Sequence, residues 1–329
     1  MLRYRSPLSG MIKTISCSLL LPLQYLDDYV TLNEPYSQND SNKVESTMAK
    51  RIIKSSGINE DFDIKKLINS LMRSGASSEV AYEIAKEIEE GLPPKTRTGD
   101  IFRQAKRLLR KQNVASGMRY SIKKAIFALG PSGYPFEKYV GKIMAHQGYA
   151  VETNRIIKGY CVDHEVDVIA SSNNAYSVIE CKYHSDAGKA TDVKIALYVQ
   201  ARFQDIKKAA DMSPEKHMTF HNGWLVTNTR CSIDAIRYAE CVGLKIVSWK
   251  YPEKGSLERM IEDKRLYPVT ILHSVRKNVL DSLFKADIIL AQDIADMTEE
   301  AFAQKSGLDE QTIKILKHEA DEICPCTNP

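Results

Sequence analysis

Two carboxylates and an ammonium stand close together between Asp163 and Lys182. The stretch reads DHEVDVIASSNNAYSVIECK, two β-branched runs separated by Ser-Ser-Asn-Asn, which predicts two strands joined by a hairpin turn. Side chains alternate faces along a strand, so Glu180 and Lys182 share one face and Cys181 points to the other. A preceding strand VDVIA can set Asp167 opposite them. Carboxylates that converge beside an apolar sheet repel one another. A hard cation such as Mg²⁺, which takes one or two carboxylates and keeps several waters, relieves that repulsion. Asp167 and Glu180 are the candidate metal ligands, with the Cys181 carbonyl as a third. Lys182 then stands beside a metal-bound water as charge stabiliser and water positioner, which is the equipment for in-line hydrolysis of a phosphodiester. The same short pattern also arises in an exposed strand with a cross-strand ion pair, worth a few tenths to ~1 kcal/mol. Here Val166, Val168, Ile169, Val178 and Ile179 flank the charges, and charges in a strand that reads as buried need a reason.

The elements around this hairpin are legible in outline. A helix carries Phe136-Glu137-Lys138-Tyr139-Val140, and Gly148-Tyr149 opens a strand. Asp192 to Asp211 is an amphipathic helix bearing Gln200, Arg202, Lys207 and Lys208, whose basic side chains read as a solvated face. Trp224 to Thr227 and Leu244 to Val247 read as buried parallel strands linked by a helix from Ile233 to Cys241. Trp224 and Trp249 read as core, and His164, His184 and His221 as hydrogen-bonding residues near strand ends. From Tyr134 to Trp249 this order of elements, with His164-Glu165-Val166-Asp167-Val168, Glu180-Cys181-Lys182-Tyr183 and Gly223-Trp224-Leu225-Val226-Thr227-Asn228, resembles the Mrr-type restriction endonuclease domain of the PD-(D/E)xK nuclease superfamily. The resemblance implies that Asp167 is the first acidic position and that Glu180 and Lys182 are the Glu-x-Lys. It further implies that Glu137 is the acidic residue of the first helix and Gln200 the glutamine of the following one.

Upstream, Arg51 to Lys54 alternates like a strand and Ser55-Ser56-Gly57 turns. Helical patterns follow over Ile64 to Leu71, Glu79 to Glu90 and Gly99 to Lys111, with Pro93-Pro94 breaking between the last two, and an amphipathic run extends from Arg119-Tyr120 to Leu129. A solvated basic hairpin would explain Lys-Ser-Ser-Gly alone. The whole stretch from 49 to 129 is similar to an ATP-cone, the nucleotide-binding module that regulates ribonucleotide reductases and their repressor. The residues that carry it are Arg51, Lys54, Gly57, Phe62-Asp63, Lys66, Thr96, Thr98 and Arg119-Tyr120. The resemblance implies ATP or dATP as a regulatory ligand, with Arg51, Lys54, Lys66 and Arg119 as its cofactor-binding residues. Many cones have Lys-Arg-Asp-Gly where this chain has Lys-Ser-Ser-Gly.

Composition sets the outer bounds. The 329 residues are 43% hydrophobic, enough for two or three small cores, and contain no apolar run long enough to span a membrane. Seven cysteines with scattered spacing suit free thiols in a reducing cytoplasm. The formal charge of +4 is uneven: +8 over residues 48–130, +4 over 131–278 and −7 over 279–329. The first two segments can face a polyanion and the last would be repelled by one. Residues 1–47, with an Asn/Ser/Asp-rich second half, read as a disordered or mis-started leader.

The expected fold class is a multidomain α/β chain. A small α+β cone over 48–130 precedes a restriction-endonuclease-like α/β core with a mixed sheet over 134–255, and a helical tail over 279–329 resembles helix-hairpin-helix units without their Gly-x-Gly hairpin. The linker Gly130 to Pro135 is short, so the cone is expected to touch the nuclease or a mate in a homo-oligomer. The expected function is Mg²⁺-dependent cleavage of double-stranded DNA, of the type IV restriction class, under control of an adenine nucleotide. The alternative is a nucleotide-responsive DNA-binding regulator that keeps the nuclease fold without cleaving.

Overall fold

The computed structural model describes residues 50–54, 57–173, 175–213 and 219–324. The leader assigned to residues 1–47, the turn residues Ser55 and Ser56, and Cys17 and Cys326 among the seven cysteines lie outside the described residues.

The first hairpin pairs β1 (Arg51–Ile53) with β2 (Asn59–Asp61), and its turn passes through Gly57 at φ 81°, a left-handed conformation that glycine adopts without penalty. Asp63 then starts α1 (Ile64–Arg73) by accepting the N–H groups of Lys65 and Lys66, and Ser77 caps α2 (Ser78–Glu90). A two-residue strand, β3 (Thr96–Arg97), pairs parallel with β1 to give the order β2-β1-β3. It is too short to show a period in the sequence and was not expected. Helix α3 (Thr98–Gln112) closes a small core with Ile52, Leu67, Leu71, Ile84, Ile88, Ile101 and Leu109.

The run from Arg119 to Leu129, expected as one amphipathic stretch, is broken at Tyr120 and Ser121 into α4 (Val114–Arg119) and α5 (Ile122–Phe127). Met118, Ile122, Ala125, Ile126 and Leu129 pack into a second, larger core rather than the first. Those two helices therefore join the small core to everything that follows.

Helix α6 (Tyr134–His146) leads into β4 (Ala150–Lys158), β5 (Asp163–Ser172) and β6 (Ala175–Lys182). Beyond them come β7 (Ala190–Thr191), α7 (Val193–Met212), β8 (Thr219–Thr227), β9 (Arg230–Cys231), α8 (Ile233–Val242) and β10 (Lys245–Val247). The five-stranded sheet has the order β10-β8-β6-β5-β4. It is mixed, as expected: β4, β5 and β6 run antiparallel, while β6, β8 and β10 run parallel. Helix α6 covers one face with Tyr139, Ile143 and Met144, and α7 covers the other with Phe203 and Ile206.

The remaining elements are α9 (Leu257–Lys264), a 3-10 turn at Val269–Ile271, α10 (Lys277–Lys285), α11 (Ala291–Ala295), α12 (Glu299–Ser306) and α13 (Glu310–Ile323). Their buried residues, among them Leu283, Ile294, Phe302, Ile313 and Leu316, belong to the same core as α6. The acidic C-terminal helices are thus part of the packing that supports the sheet. No helix among the described residues is long and apolar enough to cross a membrane.

Candidate active site

The β5–β6 ladder runs from Ser172↔Ala175 to Val168↔Ile179 and stops there. One more step in the same register would place Asp167 opposite Glu180. Instead the Cys181 N–H donates to Asp167 Oδ2 at 2.7 Å, so a side chain takes the place of a ladder bond. On the other side of β5, Thr153 pairs with Val168 and Arg155 with Val166. Between them Asn154 adopts φ 52°, a left-handed conformation that asparagine tolerates better than most residues.

The strand turns about this point. Ile169 and Val166 both pack on the α7 side with Phe203 and Ile206, whereas Val168 and Ala170 pack on the α6 side. Strict alternation would have put Val166 with Val168. The break in the ladder therefore leaves room for the Asp167 carboxylate between β5 and β6, inside an otherwise apolar sheet and held by the Cys181 N–H.

Glu180 is half-buried, and its carboxylate pairs with the guanidinium of Arg202 on α7. Its carboxyl is pushed up to about 7, by burial first and the Asp167 charge second, with Arg202 and Lys182 pulling the other way. Asp167 is raised as well, chiefly by burial, against the Cys181 N–H bond and Arg202. Glu137, in the first turn of α6, is also raised to about 7, by burial, then Asp167, then Glu165. Glu137, Asp167, Glu180 and Lys182 are thereby one electrostatic cluster, as the sequence suggested. The Lys182 ammonium has no carboxylate within ion-pair distance among the described residues.

Other expected site residues fall differently. Cys181 points its thiol into the opposite core, where burial drives it well above the usual thiol range, and it serves the site through its backbone N–H. Gln200 is buried on α7, two residues before Arg202, and the 3.6-residue turn sends the two to different sides of the helix. Among the described residues no hydrogen bond joins Gln200 to Asp167, Glu180 or Lys182.

Arg202 requires a correction: it is nearly buried and grips Glu180, where a solvated face was expected. Ala196, Val199, Gln200, Phe203 and Ile206 form the core stripe of α7, and Arg202 flanks it one turn before Ile206, so a half-buried position was open to it. Glu165, which adds to the field at Glu137 and Asp167, was also missed as a member of the cluster.

No set of three or more His, Cys, Asp or Glu side chains stands ready to enclose a metal among the described residues. The donor set suits a cation that keeps most of its waters: two carboxylates on one sheet face, both held above their ordinary range in its absence.

In the N-terminal region, Arg51 faces Asp61 at 3.7 Å, Lys54 pairs with Glu60, and Lys66 lies 3.7 Å from Asp63. Arg119 is a second correction. Its Nε donates to the Ser74 carbonyl at 3.0 Å and its Nη2 to the Ser116 hydroxyl at 3.1 Å, so the guanidinium is committed inside the fold rather than offered to a phosphate.

The family model described as restriction endonuclease, Mrr catalytic, matches residues 130–251, and one described as AF1548-like, C-terminal, matches residues 267–324. An uncharacterized protein of Archaeoglobus fulgidus is 35% identical over 184 residues, which cover 56% of this chain and 99% of that protein. The crystal structure of the protein of unknown function AF1548 superposes with a TM-score of 0.51 at 35% identity, over 58% of this chain and 98% of that one. The MspJI restriction endonuclease, solved with a 27-mer oligonucleotide, aligns at 12% identity with a TM-score of 0.32, over 53% of this chain and 36% of that chain. With almost the full length of the Archaeoglobus protein matched at that identity, and with the Asp167–Glu180–Lys182 cluster inside the matched catalytic segment, the chain belongs to the AF1548-like family and carries a restriction-endonuclease-like domain.

Proposed function

We propose that this protein is a Mg²⁺-dependent endonuclease acting on double-stranded DNA, of the Mrr-like, type IV restriction class. The observation that carries the reading is the cluster of carboxyls at Glu137, Asp167 and Glu180 beside a Lys182 that has no partner carboxylate among the described residues. Buried acids that raise one another cost stability, and a bound cation turns that cost into affinity. The cation, when bound, supplies Lewis-acid polarisation of a phosphoryl oxygen and a nucleophilic water at neutral pH. Asp167, held by the Cys181 N–H, Glu180 and the Cys181 carbonyl would hold the cation. Arg202, now paired with Glu180, would be free to take a phosphate oxygen with its planar fork if Glu180 turned to the cation. Lys182 orients the attacking water, and Glu137 receives its proton directly or through an outer water.

One observation favours the second reading, a DNA-binding regulator that does not cleave: Arg202 already neutralises Glu180. The test is purified protein with methylated and unmethylated plasmid, in Mg²⁺ or EDTA, for wild type, Asp167→Ala and Arg202→Gln. Cleavage by wild type in Mg²⁺ alone, lost in Asp167→Ala, supports the nuclease. Plasmid left intact by wild type and by Arg202→Gln, with DNA bound, supports the regulator.

For residues 48–130 the proposed role is regulatory binding of ATP or dATP. Support comes from the hairpin-then-helices order, the left-handed turn at Gly57, and the exposure of Arg51 and Lys66 beside it in sequence.

A further inference from the structure

The parallel strands of the sheet all point their carboxyl ends the same way, and in open α/β sheets that end is where ligands are met. The β6–β8 pairing ends at Lys182↔Thr227, and the β8–β10 pairing at Val226↔Val247. Beyond those pairs the chain exits are tied together. The Asn228 side chain brackets His184, accepting its N–H and donating to its carbonyl, both at 2.8 Å. The Trp249 N–H donates to the Thr229 carbonyl at 2.9 Å. Arg230 and Lys250 are therefore the next residues out from one hydrogen-bonded pair, and both are exposed.

Helix α5 lies over this end. The Tyr183 hydroxyl, one residue past Lys182, donates to the Phe127 carbonyl at 2.7 Å, and Lys123 Nζ sits 5.7 Å from the centroid of the Trp249 ring. Lys123, Arg230 and Lys250 thus gather at the sheet end that carries Glu180 and Lys182, and Lys124, next to Lys123 on α5, lies toward Lys106 of α3. None of the four has a carboxylate within ion-pair distance among the described residues. Burial, then Lys250, holds the Lys123 ammonium below its usual range, with Glu258 opposing and Arg230 adding to the effect. On the neighbouring helix α3, Lys106 is lowered by burial, then by Lys124 and Arg110, so the positive surface continues onto α3.

We propose that α5 and the chain exits after β8 and β10 form a track for the phosphate backbone of double-stranded DNA, with Lys123, Lys124, Arg230 and Lys250 as its cations. Like charges held together with Glu258 as the one opposing charge at Lys123, and with no carboxylate in ion-pair contact among the described residues, are a site for a polyanion, and this one leads into the carboxylate cluster. The proposal rests on the nuclease reading for its choice of DNA. It adds that residues upstream of 130, outside the matched catalytic segment, supply part of the substrate surface.

The experiment is fluorescence anisotropy of a labelled duplex with the full chain, in Ca²⁺ across a salt series, together with plasmid cleavage in Mg²⁺. The variants are Lys123→Ala/Lys250→Ala and Arg230→Ala, with Lys285→Ala/Lys305→Ala on the acidic tail as control and melting curves as a check of folding. Removing one phosphate-binding cation should lower the salt slope by about one and weaken binding evenly across sequences. The double variant should therefore lose about two units of slope while the control loses none. Wild-type affinity and slope in a folded double variant overturn the track, and with cleavage intact they leave the nuclease reading standing. Slope losses as expected in a protein that cuts nothing support the track and remove the nuclease reading instead. Competition by polyglutamate as strong as by duplex overturns the choice of DNA.

Discussion

Two groups of carboxylates lie along helix α7 in opposite conditions. Asp205 accepts the N–H groups of Cys161 and Val162 and lies 2.8 Å from His164 Nε2. The His164 bond first, and then those to Cys161 and Val162, bring its carboxyl down to about 2. One turn earlier on the helix, Arg202 grips Glu180, yet that carboxyl is pushed up to about 7. Asp205 has its bonds satisfied within the chain and latches the Gly159–Val162 turn to the helix. The space is so close that a Cβ on Gly159 would collide with Asp205 Oδ2. The acids near Glu180 are left short of positive charge. A structural acid is finished by the fold, whereas the raised acids near Glu180 are where the proposed cation would complete the electrostatics.

The largest expected effect separates the two groups outright. Asp167→Ala should reduce cleavage by at least ~100-fold while duplex binding in Ca²⁺ survives or improves, because a repelling carboxylate is gone. Lys182→Ala should lose turnover but keep Mn²⁺ binding by calorimetry. A Lys182→Ala protein that cuts normally and only melts lower would reduce the cluster to a cross-strand ion pair. Asp205→Ala should behave in the reverse way, with a clear drop in melting temperature and metal binding unchanged.

The second contrast is in pH. Asp205 titrates below its unfolded value, so its stabilisation is present above about pH 4 and is lost as pH falls through about 2. Glu137 and Glu180 titrate near 4.5 when unfolded and about 7 when folded. Between those values the folded chain holds more protons than the unfolded one, so rising pH drains stability. In EDTA the melting temperature should fall from about pH 5 to about pH 8, and Mg²⁺ should restore it most at the high end. A Mg²⁺ effect that does not change with pH would separate the raised acids from the metal.

What the sequence made legible follows from range. The period of two put Glu180 and Lys182 on one face, and the apolar flanks marked the strand as buried, so the grouping of Asp167, Glu180 and Lys182 was readable from one short stretch. The break in β5 at Asp167 and the left-handed Asn154 on the neighbouring strand were not readable, because no residue type dictates either. The Asp205–His164 latch spans 41 residues of sequence and the Tyr183–Phe127 bond 56, beyond any local pattern. Arg202 was misplaced because a basic residue on an amphipathic helix is solvated by default, and only its place at the flank of the core stripe argued otherwise. The order of α1 to α3 and of α6, α7 and α8 was visible, whereas α4 and α9 were not expected, and the two-residue β3 and the break between α4 and α5 lie below the length at which periodicity is informative.

The smallest expected effect concerns the coupling of the N-terminal region to this cluster. Lys54 pairs with Glu60, so a triphosphate must exchange that carboxylate for its own charge, and Lys54→Ala should weaken ATP or dATP binding by roughly tenfold, the loss of one charge-assisted bond. Any signal then has a physical route. Helices α4 and α5 pack in the large core, and α5 is bonded through Phe127 to Tyr183, next to Lys182. A nucleotide can shift the site only by as much as it binds two arrangements of that joint differently, at a coupling of ~1 to 3 kcal/mol. Tyr183→Phe removes the bond to Phe127 and keeps the ring. It should leave nucleotide affinity within twofold, yet reduce the change in cleavage rate that nucleotide causes, by about the net worth of one hydrogen bond, ~1 kcal/mol. The measurement is cleavage rate and sedimentation with and without each nucleotide, for wild type, Lys54→Ala and Tyr183→Phe. Absence of binding removes the cone reading, binding without a change in rate or assembly removes the regulation, and full regulation in Tyr183→Phe moves the coupling to another part of the joint.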